Sequence, residues 1–514
     1  MTLDNILIDG KKKFPDRWAL VFEHQRVKYG QLNALVNQFT GALLRLGVKK
    51  NDRIAILLHN SYEFVISYFA ALRLGVIAVP INTMLSSKEI NFILQDCSPA
   101  LLFTSSDFKD KLPEINIAPA QTVLTDVKDD LSIVNKGYLL WEQILKKDNA
   151  KEHPSAAQDE DVAVIIYTSG TTGNPKGVML THKNLLSNIV SSLKAAKLTE
   201  KDRILLFLPM FHSFAATVCL LAPLYAGSRV IVLKSPKPFS KVIKAIMFQR
   251  ISIFVAIPSV YNILSKLKLP WGFHFINPIR LCLSGAAPLS TEVLKRFEDT
   301  FNLPLLEGYG LTEASPVVSL NPLSLRKPAS VGIPVPGVEV RVVDEMGQDV
   351  PQGEVGELIV CGQNVMKGYY HQIEATMETI KDGWLFTGDM ARIDDKGYIY
   401  IVDRKKDMII IHGLNVYPRE IEEVLYTHEK VAEAAVVGQE EKNREEIVVA
   451  TIVLKEGEKA TIEEIRDFCQ KRLAAYKLPR IIEFWESLPK NATGKILKRE
   501  IKRLRITTQV GLSL

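Results

Sequence analysis

The stretch YTSGTTGNPKGVMLTH, Tyr167 to His182, has the residue types that a phosphate needs. Gly170, Gly173 and Gly177 let backbone N–H groups approach an anion and turn together around it. Thr168, Ser169, Thr171 and Thr172 add hydroxyl donors, and Lys176 adds a positive charge. It is not a Walker loop, because Pro175 and Gly177 stand where that motif needs a glycine and a Ser/Thr. Composition alone leaves a plain surface loop open.

A second stretch, EGYGLTEASP, runs from Glu307 to Pro316. Tyr309 beside Gly308 and Gly310 can stack a nucleobase. Thr312 adds a hydroxyl, and Glu313 a carboxylate able to hold magnesium, a hard cation that prefers oxygen. A tight turn with a solvated Glu fits the same residues. Three single residues complete the set. His212 follows Phe211 at the end of an apolar strand in LPMFHSFA. Asp389 follows a glycine in GWLFTGDM, which reads as a turn. Lys495 stands behind Thr493 and Gly494 in PKNATGKILKRE. Taken singly, each has a plainer reading as a structural histidine, a local cap or a solvated lysine.

The elements that must hold these residues alternate. VAVIIY, before the first loop, is a short β-branched strand, and Thr181 N-caps a helix carrying Leu185, Ile189 and Leu193. The loop is therefore expected between a core strand and a helix. Helical and strand patterns also alternate at YGQLNALVNQFTGALLRLGV, DRIAILL, SYEFVISYFAALRLGV and VIAVPIN. RILLFLP, SRVIVL, ISIFVAIP and IRLCLSGAAP continue the series. This alternation predicts an α/β fold of βα units with parallel sheets. Near Ser330 the texture changes to short alternating strands with Gly/Asp turns, predicting antiparallel β structure in a small barrel-like subdomain. After Val402 the charged cluster Asp403 to Asp407 reads as a linker or a solvated turn, and a small α+β tail follows. The expected organisation is an N-terminal domain over 1–402, a hinge over 403–407 and a C-terminal domain over 408–514.

The chain has 514 residues and a net charge of +6, without the basic block of a nucleic-acid binder. Its five scattered cysteines lack metal or redox spacing, which fits reduced thiols. Asp4 stands where a signal peptide carries positive charge, and a cytoplasmic location is expected. The most apolar run, Phe214 to Gly227, is too short to span a bilayer and reads as a buried helix or a pocket wall.

Taken together and in order, YTSGTTGNPKGV, GYGLTE, GWLFTGD, DRKKDMI and TGK resemble the acyl-adenylate-forming enzymes over nearly the whole chain, Tyr29 to Arg499. That family includes acyl- and aryl-CoA ligases, adenylation domains and luciferases. The resemblance implies ATP, Mg²⁺ and coenzyme A. It places Thr168, Ser169, Gly170, Thr171, Thr172, Gly173 and Lys176 at the β- and γ-phosphates. It places Ala286, Ala287, Glu307, Gly308 and Tyr309 at the adenine, and Asp389 and Arg404 at the ribose. Thr312 falls near the α-phosphate, and Glu313 is the magnesium ligand. Lys495 bridges the carboxylate and the α-phosphate, with His212 at the mouth of the acyl slot. Lys406 is the hinge, and Gly413 lies beside the pantetheine channel.

Within the family the chain looks most like medium- to long-chain fatty acyl-CoA ligases. The expected acyl slot draws on Ser213, Phe214, Ala215, Thr217, Ile257 to Tyr261, Gly285, Val331 and Gly332, with no cation to hold a second carboxylate. These residues also fit a simple core. An aryl-CoA ligase, a free-standing ligase loading a carrier protein and a silent nucleotide or acyl binder stay open. His412, where many relatives carry a small residue or a lysine, makes thiolation less secure than adenylation. Peripheral membrane contact and a homodimer are left open.

Overall fold

The computed structural model describes residues 1–127, 136–146, 151–168, 175–267, 277–412, 414–440, 446–490 and 494–511. Ser169, Gly170, Thr171, Thr172, Gly173 and Gly413 lie outside the described residues.

Two large sheets form the bulk of the chain. In the first, Trp18–Phe22, Arg229–Val232, Arg203–Leu206, Ile253–Ala256, Leu281–Ser284 and Leu305–Gly310 run parallel side by side. Gln25–Lys28 closes one edge antiparallel, and Val317–Leu320 with Ile333–Pro334 the other. In the second, Val162–Thr168, Ile77–Pro80, Arg53–Leu57, Leu101–Ser105, Thr122–Thr125 and Leu139–Leu140 are parallel.

Parallel strands covered on both faces should read as unbroken apolar runs. Arg53–Leu57 shows why: Ile54 and Ile56 enter the main core, while Ala55 and Leu57 enter a second core with Ile90, Ile93 and Leu94 of helix Ser87–Cys97. Helix Tyr62–Leu74 is buried from Glu63 to Leu74 and shares the main core with strands of both sheets. A helix that is apolar almost all round belongs inside.

One sequence expectation needs correction. The loop after Thr168 leads first to a strand, Lys176–Thr181, paired antiparallel with Val162–Thr168, and only then to helix His182–Ala196. In KGVMLT, Val178 and Leu180 are buried in alternation. Thr181 is the N-cap, as expected, accepting from Asn184 N at 3.1 Å. The apolar run after His212 is a π-helix, Ala215–Leu221, continued by Ala222–Ala226. Ala222 N donates five residues back to Thr217 O, and Pro223 has no N–H to offer the ladder.

The small β unit is an antiparallel sheet of Val338–Val343, Gly356–Gly362, Trp384–Ile393, Ile380–Lys381 and Ile399–Arg404. The C-terminal unit has a three-stranded sheet, Val431–Glu440, Glu446–Leu454 and Ile481–Phe484. Its two faces hold separate apolar clusters, one with Ile421, Leu425 and Ile465 and one with Leu488 and Ile501. No described helix is long and apolar enough to cross a membrane.

The largest fully buried side chain is Arg73. Its guanidinium donates to Asn37 Oδ1 at 2.7 Å and Asn33 Oδ1 at 2.9 Å, and its Nε lies 3.8 Å from Asp4 Oδ2. Arg73→Ala leaves a buried carboxylate without its cation. It should cost about 3–5 kcal/mol in denaturant titration; a loss below about 1 kcal/mol would mean that water or repacking compensates Asp4.

Candidate active site

The strands end where the chemistry begins. Thr168 closes one strand and Lys176 opens the next, the two paired across the hairpin. Ala286 and Ala287 follow Leu281–Ser284, and Tyr309 is the penultimate residue of strand Leu305–Gly310. Ligands of parallel α/β sheets bind outside such carboxyl ends. His212 does not end its strand, as expected from sequence. The strand stops at Leu206, and His212 lies just before the helical turn that opens the π-helix.

Contacts join these pieces. Ser213 Oγ and Thr312 Oγ1 are hydrogen-bonded at 3.1 Å. Tyr309 OH donates to Asp389 Oδ2 at 2.6 Å, and Arg404 Nε lies 3.5 Å from Asp389 Oδ1. Asp389 sits in strand Trp384–Ile393 beside a bulge, not in a turn, and is directly opposite Arg404 on Ile399–Arg404. That register brings the aspartate and the arginine together from positions fifteen residues apart in the chain. Glu307 turns its carboxyl into the core, where Oε1 accepts from Leu289 N at 3.0 Å. It thereby frames the loop of Ala286, which is held in a left-handed conformation at φ +67°. Burial lifts the Glu307 carboxyl to about 7, with Arg419 opposing the rise.

Sequence reasoning missed Tyr369. Its OH donates to Glu313 Oε1 at 3.0 Å, and the Lys176 ammonium lies 4.8 Å from its ring centroid. Nothing in GYY marks the residue; its partners lie 56 and 193 positions back in the chain. Burial raises the Glu313 carboxyl, and the Tyr369 hydroxyl offsets part of that.

The C-terminal unit reaches the same cleft. Gly494 has φ +74°, and a Cβ there would lie 2.7 Å from Ile257 Cδ1 and 3.1 Å from Ser259 Oγ. The left-handed backbone favours glycine here, and a side chain would make Ile257 and Ser259 shift. The next residue, Lys495, is half-buried; burial, then Arg404, pushes its ammonium down to about 8 while Asp389 and Asp407 act the other way. His212 is pushed down to about 4 by burial and then by Lys495. It is therefore neutral at pH 7. Its Nδ1 accepts from Phe214 N at 3.3 Å, which puts the proton on Nε2.

Residues 9–370 match the model of the AMP-binding enzyme family, and residues 420–495 match that of the AMP-binding enzyme C-terminal domain. The chain belongs to the AMP-binding enzyme family. It is thus an acyl-adenylate-forming enzyme, an AMP-forming acid–thiol ligase by class. A long-chain-fatty-acid–CoA ligase of Bacillus subtilis (strain 168) is 36% identical over 530 residues, covering 97% of this chain and 94% of that one. An anthranilate CoA ligase solved with anthranoyl-AMP superposes with a TM-score of 0.90 at 29% identity, covering 100% of this chain and 98% of that one. The O-succinylbenzoate CoA synthetase of Bacillus subtilis, solved with ATP and magnesium, gives a TM-score of 0.84 at 32% identity, covering 97% and 99%.

The donor set of this AMP-binding enzyme fits magnesium. The described residues contain no cluster of three or more His, Cys, Asp or Glu side chains able to hold a metal. Magnesium instead takes one or two carboxylates and completes its shell with water and phosphate oxygens. The chemistry of the Glu313 carboxylate, whose Oε1 accepts from Tyr369 OH, suits such a shell.

If the Lys495 ammonium acts in adenylation, pH should show it. An ordinary lysine stays charged to above pH 10. Lys495 loses its proton as pH rises through about 8. In pyrophosphate exchange, kcat/KM, which reports the free enzyme, should fall above about pH 8. A flat profile to pH 9.5 would remove the ammonium from the rate-determining step.

Proposed function

We propose that the chain is an ATP-dependent fatty acid–CoA ligase working through an acyl-adenylate. The observation that carries this reading is the wall beside Thr312 and His212. Half-buried Phe214 donates from its N–H to His212 Nδ1, and buried Ile257 packs on Gly494 next to Lys495, while Tyr261 and Val331 are buried in two separate apolar clusters. The Phe214 ring lies so close to Gly285 that a Cβ there would be 3.0 Å from Cζ. The likeness to a fatty acid ligase at 36% identity points the same way. The solved aryl-CoA ligases favour a second reading, an aromatic acid in the same slot.

In this reading a carboxylate and a triphosphate meet although both are anionic. Lys495 stands where charge develops between them. Lys176 and the loop of Thr168, Ser169, Gly170, Thr171, Thr172 and Gly173 hold the outer phosphates. Glu313 would hold magnesium, which supplies Lewis-acid charge when bound. Thr312 faces the α-phosphate, and the neutral His212 donates from Nε2 to the acid. Ala286, Ala287, Gly308 and Tyr309 take the adenine, with Glu307 framing it, while Asp389 and Arg404 take the ribose. Coenzyme A must then enter where Gly494 now packs on Ile257 and Ser259. We place the domain boundary at 403–407 and the rotation at Lys406, which would carry Lys495 out and strand Ile409–Ile411, with His412 after it, in.

Lys495→Ala should slow pyrophosphate exchange by about 10²–10³-fold and spare transfer from a supplied acyl-adenylate to coenzyme A. Lys406→Pro should do the reverse. Equal damage to both steps by Lys495→Ala would sink the rotation. In a panel of acids from C4 to C18 with aromatic acids alongside, kcat/KM should rise about fourfold per methylene until the slot is full, from about 0.8 kcal/mol per CH₂. A preference for benzoate- or coumarate-type acids would select the aryl reading.

A further inference from the structure

Tyr369 touches both charged groups that the proposed function puts at the triphosphate, yet it belongs to neither of their motifs. The segment around it is tied to both. Strand Gly368–Tyr369 pairs antiparallel with Lys176–Thr181, with Tyr369 opposite Val178. Lys367 N donates to Met179 O at 3.0 Å and Tyr370 N to Gly177 O at 2.7 Å. On the other side, Met366 N donates to Glu313 O at 2.8 Å and Asn364 Nδ2 to Ala314 O at 2.9 Å. Tyr369 N donates to Thr376 Oγ1 at 2.8 Å. Gly368 lets Thr376 come this close: at φ +145° a Cβ would lie 2.7 Å from Thr376 Cγ2. Tyr369 itself is buried.

A phenol ring offers an ammonium its negative face and a carboxylate its O–H. We propose that Tyr369 is a positioning residue for nucleotide activation. Its hydroxyl orients the Glu313 carboxylate and its ring face the Lys176 ammonium, so that both meet magnesium triphosphate in one fixed geometry. This rests on the reading of Glu313 and Lys176 as triphosphate groups. A purely structural tyrosine would lower fold stability and weaken all substrates alike; a positioning tyrosine acts on the magnesium-dependent part of ATP binding.

The test uses the full chain and four variants: Tyr369→Phe, Tyr369→Leu, Glu313→Gln and Tyr369→Phe with Glu313→Gln. ATP binding is measured by calorimetry without acid, once with magnesium and once with EDTA, beside pyrophosphate exchange and ligand-free thermal unfolding. Tyr369→Phe should keep the wild-type unfolding temperature, the EDTA affinity for ATP and the KM for the acid. It should lose about tenfold to a hundredfold of the magnesium-dependent gain in ATP affinity, the usual effect of removing a partner of a metal ligand. Tyr369→Leu should weaken ATP binding in EDTA as well, because Lys176 loses the ring. If that variant does not fold, the Phe arm decides alone. In the Glu313→Gln background the Phe change should add nothing. Wild-type magnesium dependence in Tyr369→Phe, or additive losses in the double variant, overturns the proposal while the role of Glu313 stands. Wild-type magnesium dependence in Glu313→Gln removes that role and the proposal with it.

Discussion

The Lys495 ammonium is charged in a place that opposes its charge. It is crowded by protein and sits within reach of Arg404 and Lys406, with Asp389 and Asp407 as the counterweight. Packing adds to the arrangement: Gly494 lies on Ile257 and Ser259, and a Cβ there would make those side chains shift. A bound carboxylate and triphosphate would supply the negative charge that the protein withholds. In the proposed cycle, closure is therefore favoured while the anions are present and loses support once pyrophosphate leaves. A ligand shifts a domain equilibrium only by its differential affinity for the two states, and here that differential is electrostatic.

The same economy governs the rest of the cleft. His212 is kept neutral by burial and by Lys495, so it serves as a fixed N–H donor without adding another cation. Ala286 is held left-handed, a strain of about 1–3 kcal/mol for a residue with a Cβ. Glu307, fixed to Leu289 N behind it, keeps that loop in place. Burying a carboxyl for this purpose has a cost, visible as the rise of Glu307 to about 7.

The sequence made the parallel strands legible because both of their faces are buried, and runs such as RIAIL have no polar side to confuse the reading. The helix after Thr181 was marked by its cap. What escaped were features set by pairing across distance. Lys176–Thr181 begins inside the apparent loop and becomes a strand only against Val162–Thr168. Asp389 looks like a turn residue because Gly388 precedes it, yet a bulge keeps it in a strand opposite Arg404. Tyr369 has no local signature, since its function comes from pairing with a strand that starts at Lys176. Among the described motif residues, contacts join Lys176 and Glu313 through Tyr369, Thr312 to Ser213, and Tyr309 and Arg404 to Asp389.

The cluster DRKKD could be read from sequence as linker or as solvated turn, and its contacts decide how it can move. Arg404 faces Asp389, and Lys405 Nζ lies 2.9 Å from Glu357 Oε2, both partners on the N-terminal side. Lys406 is exposed and forms no ion pair among the described residues. The rotation proposed there would leave both of those pairs intact. What rotation must exchange lies one step further on: Arg419 N donates to Asp403 Oδ2 at 2.7 Å, and Arg419 Nη1 to Ile401 O at 2.8 Å. Each is a hydrogen bond with one charged partner, worth about 1.5–3 kcal/mol. The pairs of Arg404 and Lys405 thus tie the cluster to the N-terminal side as far as Lys405, which is why the proposed rotation is placed at the residue after it.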